Sequence, residues 1–225
     1  MIPKRVYAKI NLDNIKKNIK SIHSKFGDKV SVMGIVKANG YGHGAIEVAK
    51  AMNEAGVNYF GVAAIDEALE LRQNDIDSPI LILGQIFKQD FQTAIENDIT
   101  CTIVDIDTAK RLSAVAVSMD KKVKIHIKID TGMGRIGFQP DDDGYNQVKE
   151  VFSLDGLLVE GIFTHFACAD NPDKTSAENQ RKKYLNLTDK LIADGYKFKR
   201  HMYNSAAVME LDGFVGDSVR CGIMM

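Results

Sequence analysis

Five short segments of the chain carry side chains that can bind a ligand or move a proton. Each segment follows a run of β-branched or apolar residues, so each is expected to lie where a strand ends. Lys37 has the most distinctive chemistry, because partial desolvation at the end of an apolar strand favours the free amine that reacts with an aldehyde. The residues of interest in these segments are Lys37, Tyr41, Arg135, His165, Asn204, Ser205, Arg220 and Gly222.

A phosphate-binding loop is expected near this lysine. In barrels of alternating strands and helices, the loops after strands seven and eight commonly bind phosphate. The backbone amides of Gly222 and Ile223 follow the eighth predicted strand, and the Ser205 hydroxyl follows the seventh. Tyr41 offers a further donor. An aldehyde cofactor that carries a phosphate suggests pyridoxal 5'-phosphate.

The elements that must position these groups alternate regularly along the chain. Near-continuously apolar strands separated by helices are typical of a parallel sheet built from right-handed βαβ units. Eight such units in a chain close to the usual size of about 250 residues predict an α/β fold, a (β/α)8 TIM barrel, as one domain over residues 1–225. The predicted strands are 31–36, 58–63, 79–83, 100–104, 122–129, 157–163, 199–203 and 217–221. The predicted helices are one capped by Asp13, followed by 45–55, 65–73, 89–97, 106–118, 144–153 and 177–193.

Composition argues against several kinds of partner and site. The 225 residues are 45% hydrophobic and carry a net charge of -1, so no basic excess favours nucleic acid or membrane partners. Cys101, Cys168 and Cys221 are odd in number and lack CxxC spacing, which argues against disulfides and a zinc site and indicates the cytoplasm. The N-terminal segment lacks the apolar stretch of a signal peptide, and no apolar run reaches the roughly 20 residues of a membrane span.

A dinucleotide site is an alternative interpretation of one motif. The run GYGHGA at 40–45 fits GxGxxA between a predicted strand and a helix, and Asp66 follows about 20 residues later. Such a site belongs to an open doubly wound sheet. That fold would leave the polar residues after the seventh and eighth strands without a role.

Each candidate residue also has a purely structural interpretation. Lys37 could be a solvated surface charge, Arg135 a loop charge, and His165 or His126 a buried core histidine. The segment 141–143 reads as a solvated turn before a helix. His43 and His201 have no second ligand at HxxxH or HExxH spacing, so no metal site is predicted.

Six motifs together carry a resemblance to a known family. The chain from about Val6 onward resembles the N-terminal barrel domain of the alanine racemases. The resemblance rests on VKANGYGHG and KIDTGMGRIGF above all, in the family's order and distance. The motifs are YAKINLDNIKKNIK, VKANGYGHG, KIDTGMGRIGF, THFA, NSAA and VRCGIM.

The resemblance implies a role for each matching position. Lys37 would form the Schiff base with pyridoxal 5'-phosphate and act as one of two catalytic bases. Arg220 would meet the pyridine nitrogen and keep it unprotonated, which disfavours side reactions. Lys128 matches a lysine that is carbamylated in some members. The expected catalytic residues are Lys37, Arg135 and His165, and the expected cofactor-binding residues are Lys37, Tyr41, His165, Asn204, Ser205, Arg220, Gly222 and Ile223.

The resemblance also implies a reaction and a partner. Family members interconvert L- and D-alanine as homodimers, and their second base is a tyrosine from the partner's C-terminal β domain. This chain stops at Met225, so we expect that tyrosine to be absent and turnover to be slow. The alternative is a stand-alone pyridoxal-phosphate-binding barrel of the cofactor-homeostasis type, which the length favours and the motifs do not. Preference for alanine or serine stays open.

Overall fold

The computed structural model describes residues 6–27 and 29–225, and within them eight parallel strands form one sheet. The strands lie side by side in the order β7-β6-β5-β4-β3-β2-β1-β8. Two backbone hydrogen bonds join the edge strands, from Asp217 N to Arg200 O (2.8 Å) and from Arg220 N to Tyr203 O (2.9 Å). The sheet is therefore a nearly closed barrel, which confirms the predicted fold. The strands are β1 Ser31–Ile35, β2 Tyr59–Val62, β3 Ile80–Gln85, β4 Thr100–Ile103, β5 Val123–Lys128, β6 Leu157–Phe163, β7 Lys199–His201 and β8 Ser218–Cys221.

One helix precedes β1, and a helix follows each of the first seven strands. A short 3-10 turn, Lys88–Asp90, leads into the helix after β3, and a left-handed turn, Lys37–Tyr41, lies between β1 and its helix. The helices are Leu12–Phe26, Ala45–Glu54, Ile65–Gln73, Phe91–Glu96, Ile106–Ser118, Asp142–Phe152, Thr175–Ala193 and Ser205–Glu210.

The structure corrects three details of the predicted helices. Asn11, rather than Asp13, caps the first helix, because its Oδ1 accepts from Asn14 N at 3.2 Å. Asp141 caps the helix after β5 by accepting from Gly144 N at 2.9 Å, so 141–143 begins a helix and is not a separate turn. The six-residue helix Ser205–Glu210 was not predicted, since it is too short to show helical periodicity.

The barrel wall separates two kinds of environment. Ile125 and Ile127 of β5 are fully buried in the large apolar cluster that packs the helices on the sheet. His126 and Lys128 alternate with them and are also buried, on the opposite face. Tyr59 of β2 contacts His126 of β5 although these strands are not neighbours. That contact crosses the barrel, so the second face is the barrel interior.

Barrel closure also decides against the dinucleotide interpretation. An open sheet with a crevice at its switch point is absent from the residues described, since β1 pairs with both β2 and β8. Asp66 is exposed in the first turn of a helix rather than at the end of β2. The GYGHGA run instead forms the left-handed turn and the start of the following helix.

Candidate active site

A cavity of about 210 Å³ opens at the carboxyl ends of the strands. This is the end at which barrels of this kind carry their active sites. The structure brings nine of the ten predicted site residues to this cavity, and the tenth, Lys128, lies behind it. The nine are Lys37, Tyr41, Arg135, His165, Asn204, Ser205, Arg220, Gly222 and Ile223. Ile35, Leu83 and Phe163 supply apolar walls.

Lys37 begins a turn with unusual backbone geometry. Ala38, Asn39, Gly40 and Tyr41 all have positive φ, between 51° and 60°. For residues other than glycine this conformation costs roughly 1–2 kcal/mol each. Strain of this kind collects at functional sites, where surrounding contacts hold it. One such contact is the Asn39 side chain, whose Oδ1 accepts from Ala45 N at 2.9 Å.

A second group of polar atoms lies where β8 ends. The Gly222 amide donates to Ser205 Oγ at 3.1 Å, and a Cβ at Gly222 would come within 2.6 Å of the Tyr41 hydroxyl oxygen. Only a glycine at position 222 leaves room for the Tyr41 hydroxyl. Burial raises the pKa of Tyr41, so its hydroxyl keeps its proton and remains a donor. The Tyr41 and Ser205 hydroxyls thus form a donor pair suited to an anion.

Arg220 is fixed by almost all of its hydrogen-bond donors. Its NH1 contacts His201 O at 2.6 Å and His201 Nδ1 at 3.0 Å, and its NH2 contacts Thr164 O at 2.7 Å and Met202 O at 3.3 Å. Burial lowers the pKa of Arg220 to about 10, which still leaves it charged at neutral pH. A guanidinium has five donors. Its Nε–H has no partner among the residues described, although Arg220 lines the cavity.

A chain of hydrogen bonds runs from Arg220 across the barrel interior. His201 Nε2 lies 2.7 Å from His126 Nδ1, and His126 Nε2 lies 3.1 Å from the Tyr59 hydroxyl. Burial lowers the pKa of His126 to about 3, with Lys199 and Arg220 contributing, and burial lowers that of His201 well below its ordinary value. Both rings are therefore neutral. Because arginine only donates, His201 accepts at Nδ1 and carries its proton on Nε2. This Nε2–H donates to His126 Nδ1, and the Nε2–H of His126 donates to the Tyr59 hydroxyl.

The loop after β5 folds around a single carboxylate. Asp130 Oδ1 accepts from the amides of Gly132, Met133 and Gly134 at 2.9–3.0 Å, and its Oδ2 accepts from Arg135 N at 2.9 Å. Burial would raise the pKa of Asp130, but these amides outweigh it and lower the pKa. Asp130 thus holds the backbone that presents Arg135 to the cavity. This role was not predicted from the sequence, although an aspartate shortly before two glycines, as in DTGMG from Asp130, is typical of such a turn.

Lys128 lies beneath this loop and does not line the cavity. Its Nζ donates to Ile129 O at 2.9 Å and to Ile136 O at 3.2 Å. Burial lowers its pKa to about 8, and the positive charges of Arg220 and Arg135 contribute. Lys128 therefore supports the loop that carries Arg135. Its carbamylation stays a prediction.

His165 and Asn204 meet at the opposite wall of the cavity. Burial lowers the pKa of His165 to about 3, with help from Arg220 and Arg135, so its ring is neutral. The Asn204 amide nitrogen lies 3.2 Å from His165 Nε2 and donates to it, which places the His165 proton on Nδ1. Gln180 holds this loop through bonds to His165 O (3.0 Å) and Ala167 N (2.9 Å). No sequence signal pointed to Gln180, which lies in the second turn of the helix Thr175–Ala193.

Within 6–27 and 29–225, no three His, Cys, Asp or Glu side chains are grouped as metal ligands would be. In the same part of the chain, no helix combines the length and apolar character needed to cross a bilayer.

Fold and geometry together define a (β/α)8 barrel protein with a small-ligand site at the carboxyl ends of its strands. The site combines a lysine on a strained turn, an anion-type donor pair and an immobilised arginine. Comparison with known proteins then gives the family. The family "Alanine racemase, N-terminal domain" matches residues 10–225, and the chain belongs to it.

Individual relatives agree with this assignment. An alanine racemase of Desulforamulus reducens is 43% identical over 221 residues, covering 98% of this chain and 60% of the relative. The alanine racemase structure from Clostridium difficile 630 superposes with a TM-score of 0.95 at 39% identity, covering 100% of this chain and 59% of that one. A histidine racemase structure from Leuconostoc mesenteroides gives 0.86 at 29% identity, covering 94% and 56%. The chain thus spans about 60% of the length of the curated relatives it matches.

Proposed function

We propose that residues 1–225 form the cofactor-binding barrel of a pyridoxal-5'-phosphate-dependent alanine racemase. The observation that carries this proposal is the convergence of Lys37, the Tyr41–Ser205 donor pair and the Arg220 guanidinium on one cavity. The relatives named alanine racemase support the reaction class. Lys37 would bond to the aldehyde carbon, and the hydroxyl pair would hold the phosphate.

The donors of this chain fit such a cofactor at both ends. At one end, Tyr41, Ser205 and the loop of Gly222 and Ile223 provide hydroxyl and backbone groups for an anion. At the other, Arg220 retains one N–H while its other four donors are occupied by the protein. A charged donor that cannot accept suits an unprotonated ring nitrogen.

Racemisation requires removal of a proton from one face of a carbon and its return from the other. The bound cofactor supplies stabilisation of the negative charge left on that carbon. We assign the proton transfer on one face to Lys37. His165, whose ring is held by Asn204, and Arg135, whose backbone amide is held by Asp130, would contact the ring of the cofactor.

The second base is proposed to lie outside the described cavity lining. Tyr41 is the one phenol among the residues that line it, and it sits beside Ser205 and Gly222, where we place the phosphate. The base would be a tyrosine of a partner subunit in a homodimer, and these 225 residues alone would racemise alanine slowly. One relative is named histidine racemase, so the side chain of the amino acid substrate has to be tested separately from the reaction class.

The test is covalent trapping followed by peptide mass spectrometry. Pyridoxal 5'-phosphate is added, the protein is reduced with borohydride, and the modified lysine is located. We expect modification at Lys37 in the unsubstituted chain and in the control Lys50→Ala, an exposed lysine in the helix after β1. Lys37→Ala should lose it. Attachment elsewhere, or none, would overturn the proposal.

Alanine turnover separates this function from the cofactor-homeostasis alternative. Exchange of the Cα proton of alanine for deuterium is followed by NMR in deuterated water. The chain with bound pyridoxal 5'-phosphate is compared with the same chain after borohydride reduction. Slow but Lys37-dependent exchange supports the racemase domain. Cofactor attachment with no exchange above the Lys37→Ala background would favour the homeostasis protein.

A further inference from the structure

Glu67 connects two loops at the mouth of the barrel. Its Oε1 accepts from the Ala38 amide at 2.6 Å, and its Oε2 accepts from the Ala63 amide at 2.7 Å. Ala38 follows Lys37 after β1, and Ala63 follows β2. One half-buried carboxylate therefore spans the ends of two neighbouring strands.

Only one of these bonds is explained by the helix to which Glu67 belongs. Glu67 is the third residue of the helix Ile65–Gln73, whose cap, Ala64, has no side chain that can accept. A glutamate at this position commonly reaches back to the amides before its helix, as Oε2 does to Ala63. The bond from Oε1 to Ala38, 29 residues away, serves no helix end.

The Ala38 amide belongs to the peptide unit that joins Lys37 to Ala38, the first residue of the turn with positive φ. The backbone hydrogen bonds of the turn come from its own segment, such as Gly40 N to Val36 O at 2.8 Å and Gly42 N to Ala38 O at 3.0 Å. Among the residues described, Glu67 is the one side chain from another element that bonds to this turn. A charged acceptor on that peptide fixes its plane, and the plane sets the direction in which the Lys37 side chain leaves the backbone.

We propose that Glu67 is a positioning residue for Lys37. Its carboxylate holds the strained turn in the conformation from which the Lys37 amine reaches the aldehyde carbon. The inference rests on the proposed function in assigning that attachment to Lys37. The turn itself, however, can be observed without any cofactor.

The experiment compares Glu67→Gln, Glu67→Asp and the matched control Glu70→Gln. Glu70 is exposed one turn further along the same helix, and its side chain bonds to no other residue described. Glutamine keeps one accepting oxygen, whereas aspartate keeps both but is one methylene shorter. Thermal unfolding by circular dichroism shows that each variant is folded.

Two readouts follow on the same proteins. Hydrogen exchange of the peptide 36–44 is measured without cofactor, and the rate of borohydride-trappable attachment of pyridoxal 5'-phosphate at Lys37 is measured with it. For Glu67→Gln we expect faster exchange in 36–44 and attachment slowed by about tenfold, the effect of losing one charge-assisted hydrogen bond. Noncovalent cofactor binding should persist, because Tyr41, Ser205 and Arg220 are unchanged. Glu67→Asp should fall between Glu67→Gln and the control.

Faster exchange in Glu67→Gln with unchanged attachment would overturn the positioning role and leave Glu67 as a structural brace. Unchanged exchange and unchanged attachment would overturn it as well. If the unsubstituted chain is not trapped at Lys37, the proposed function fails and this role fails with it. Failure of the role alone is recognised by normal trapping in the unsubstituted chain.

Discussion

The two faces of the barrel wall bury different kinds of side chain. The face toward the helices is filled by aliphatic side chains such as Ile125, Ile127 and Leu112, each fully buried. The interior face has an apolar part around Met33, Ile35 and Leu81 on β1 and β3.

The rest of the interior is polar. It holds the buried side chains of His126, Lys128, His201 and Arg220 on β5, β7 and β8. The outer face gains stability from area removed from water. In the polar interior most groups bond to one another, although the buried Thr102 hydroxyl has no partner among the residues described. Removing one member of a bonded pair leaves the other unsatisfied.

Arg220→Met should give the largest effect, because it removes four hydrogen bonds at once. His201, Thr164 and Met202 would keep buried acceptors without a donor. We expect a loss of about 4 kcal/mol in the free energy of unfolding, measured by urea denaturation. Exposed Arg111→Met is the control and should change it by less than about 0.5 kcal/mol. A loss under about 1 kcal/mol would contradict the idea that Arg220 holds the interior together.

Ile125→Ala tests the outer face on the strand that also carries His126. Removing a fully buried side chain leaves a cavity between sheet and helices, and we expect a loss of about 3 kcal/mol. The loss should not change between pH 7 and pH 5, since no titrating group is removed. Ile192→Ala, partly exposed on the helix after β6, should cost far less. Equal losses for both would mean that the outer layer is not closely packed.

His126→Leu tests the interior face at the next position along β5. The substitution leaves the His201 Nε2–H without an acceptor, and we expect a loss of about 2 kcal/mol at pH 7. This loss should shrink at pH 5. The buried neutral ring of His126 destabilises the unsubstituted chain at that pH, whereas the variant has no such ring. A loss that stays constant with pH would contradict the neutral state assigned to His126.

The smallest effect is the change that one buried histidine causes in the stability of the unsubstituted chain over a single pH unit. The pKa of His126 is lowered by burial, and by Lys199 and Arg220, from 6.5 to about 3. Between these values the unfolded chain binds more protons, so stability is fully present above pH 6.5 and is lost as the pH falls toward 3. Each such histidine contributes a slope approaching roughly 1.4 kcal/mol per pH unit. Urea titrations at several pH values would show the slope, and a flat profile from pH 6.5 to 4.5 would disprove it.

Sequence patterns predicted the outer face better than the inner one. The eight strands and most helices follow from apolar runs and helical spacing, because these patterns reflect burial of the outer layer. The loop motifs also predicted the positions of Lys37, Arg135 and Arg220, since barrel loops after the strands share one end. The residues that hold those side chains were missed. Glu67 reaches Ala38 across 29 residues, and Gln180 reaches Thr131 across 49.

The sequence by itself determined the class of fold, the end of the barrel at which the cavity opens, and most of the residues that line it. These follow from local periodicity and from residues placed directly after strands. The tertiary structure decided the rest: the left-handed turn at Lys37, the Arg220 Nε–H left unpaired among the residues described, and the neutral state of His201. Each depends on partners that approach through folding, and the burial that shifts a pKa or occupies a donor exists only once the barrel has closed.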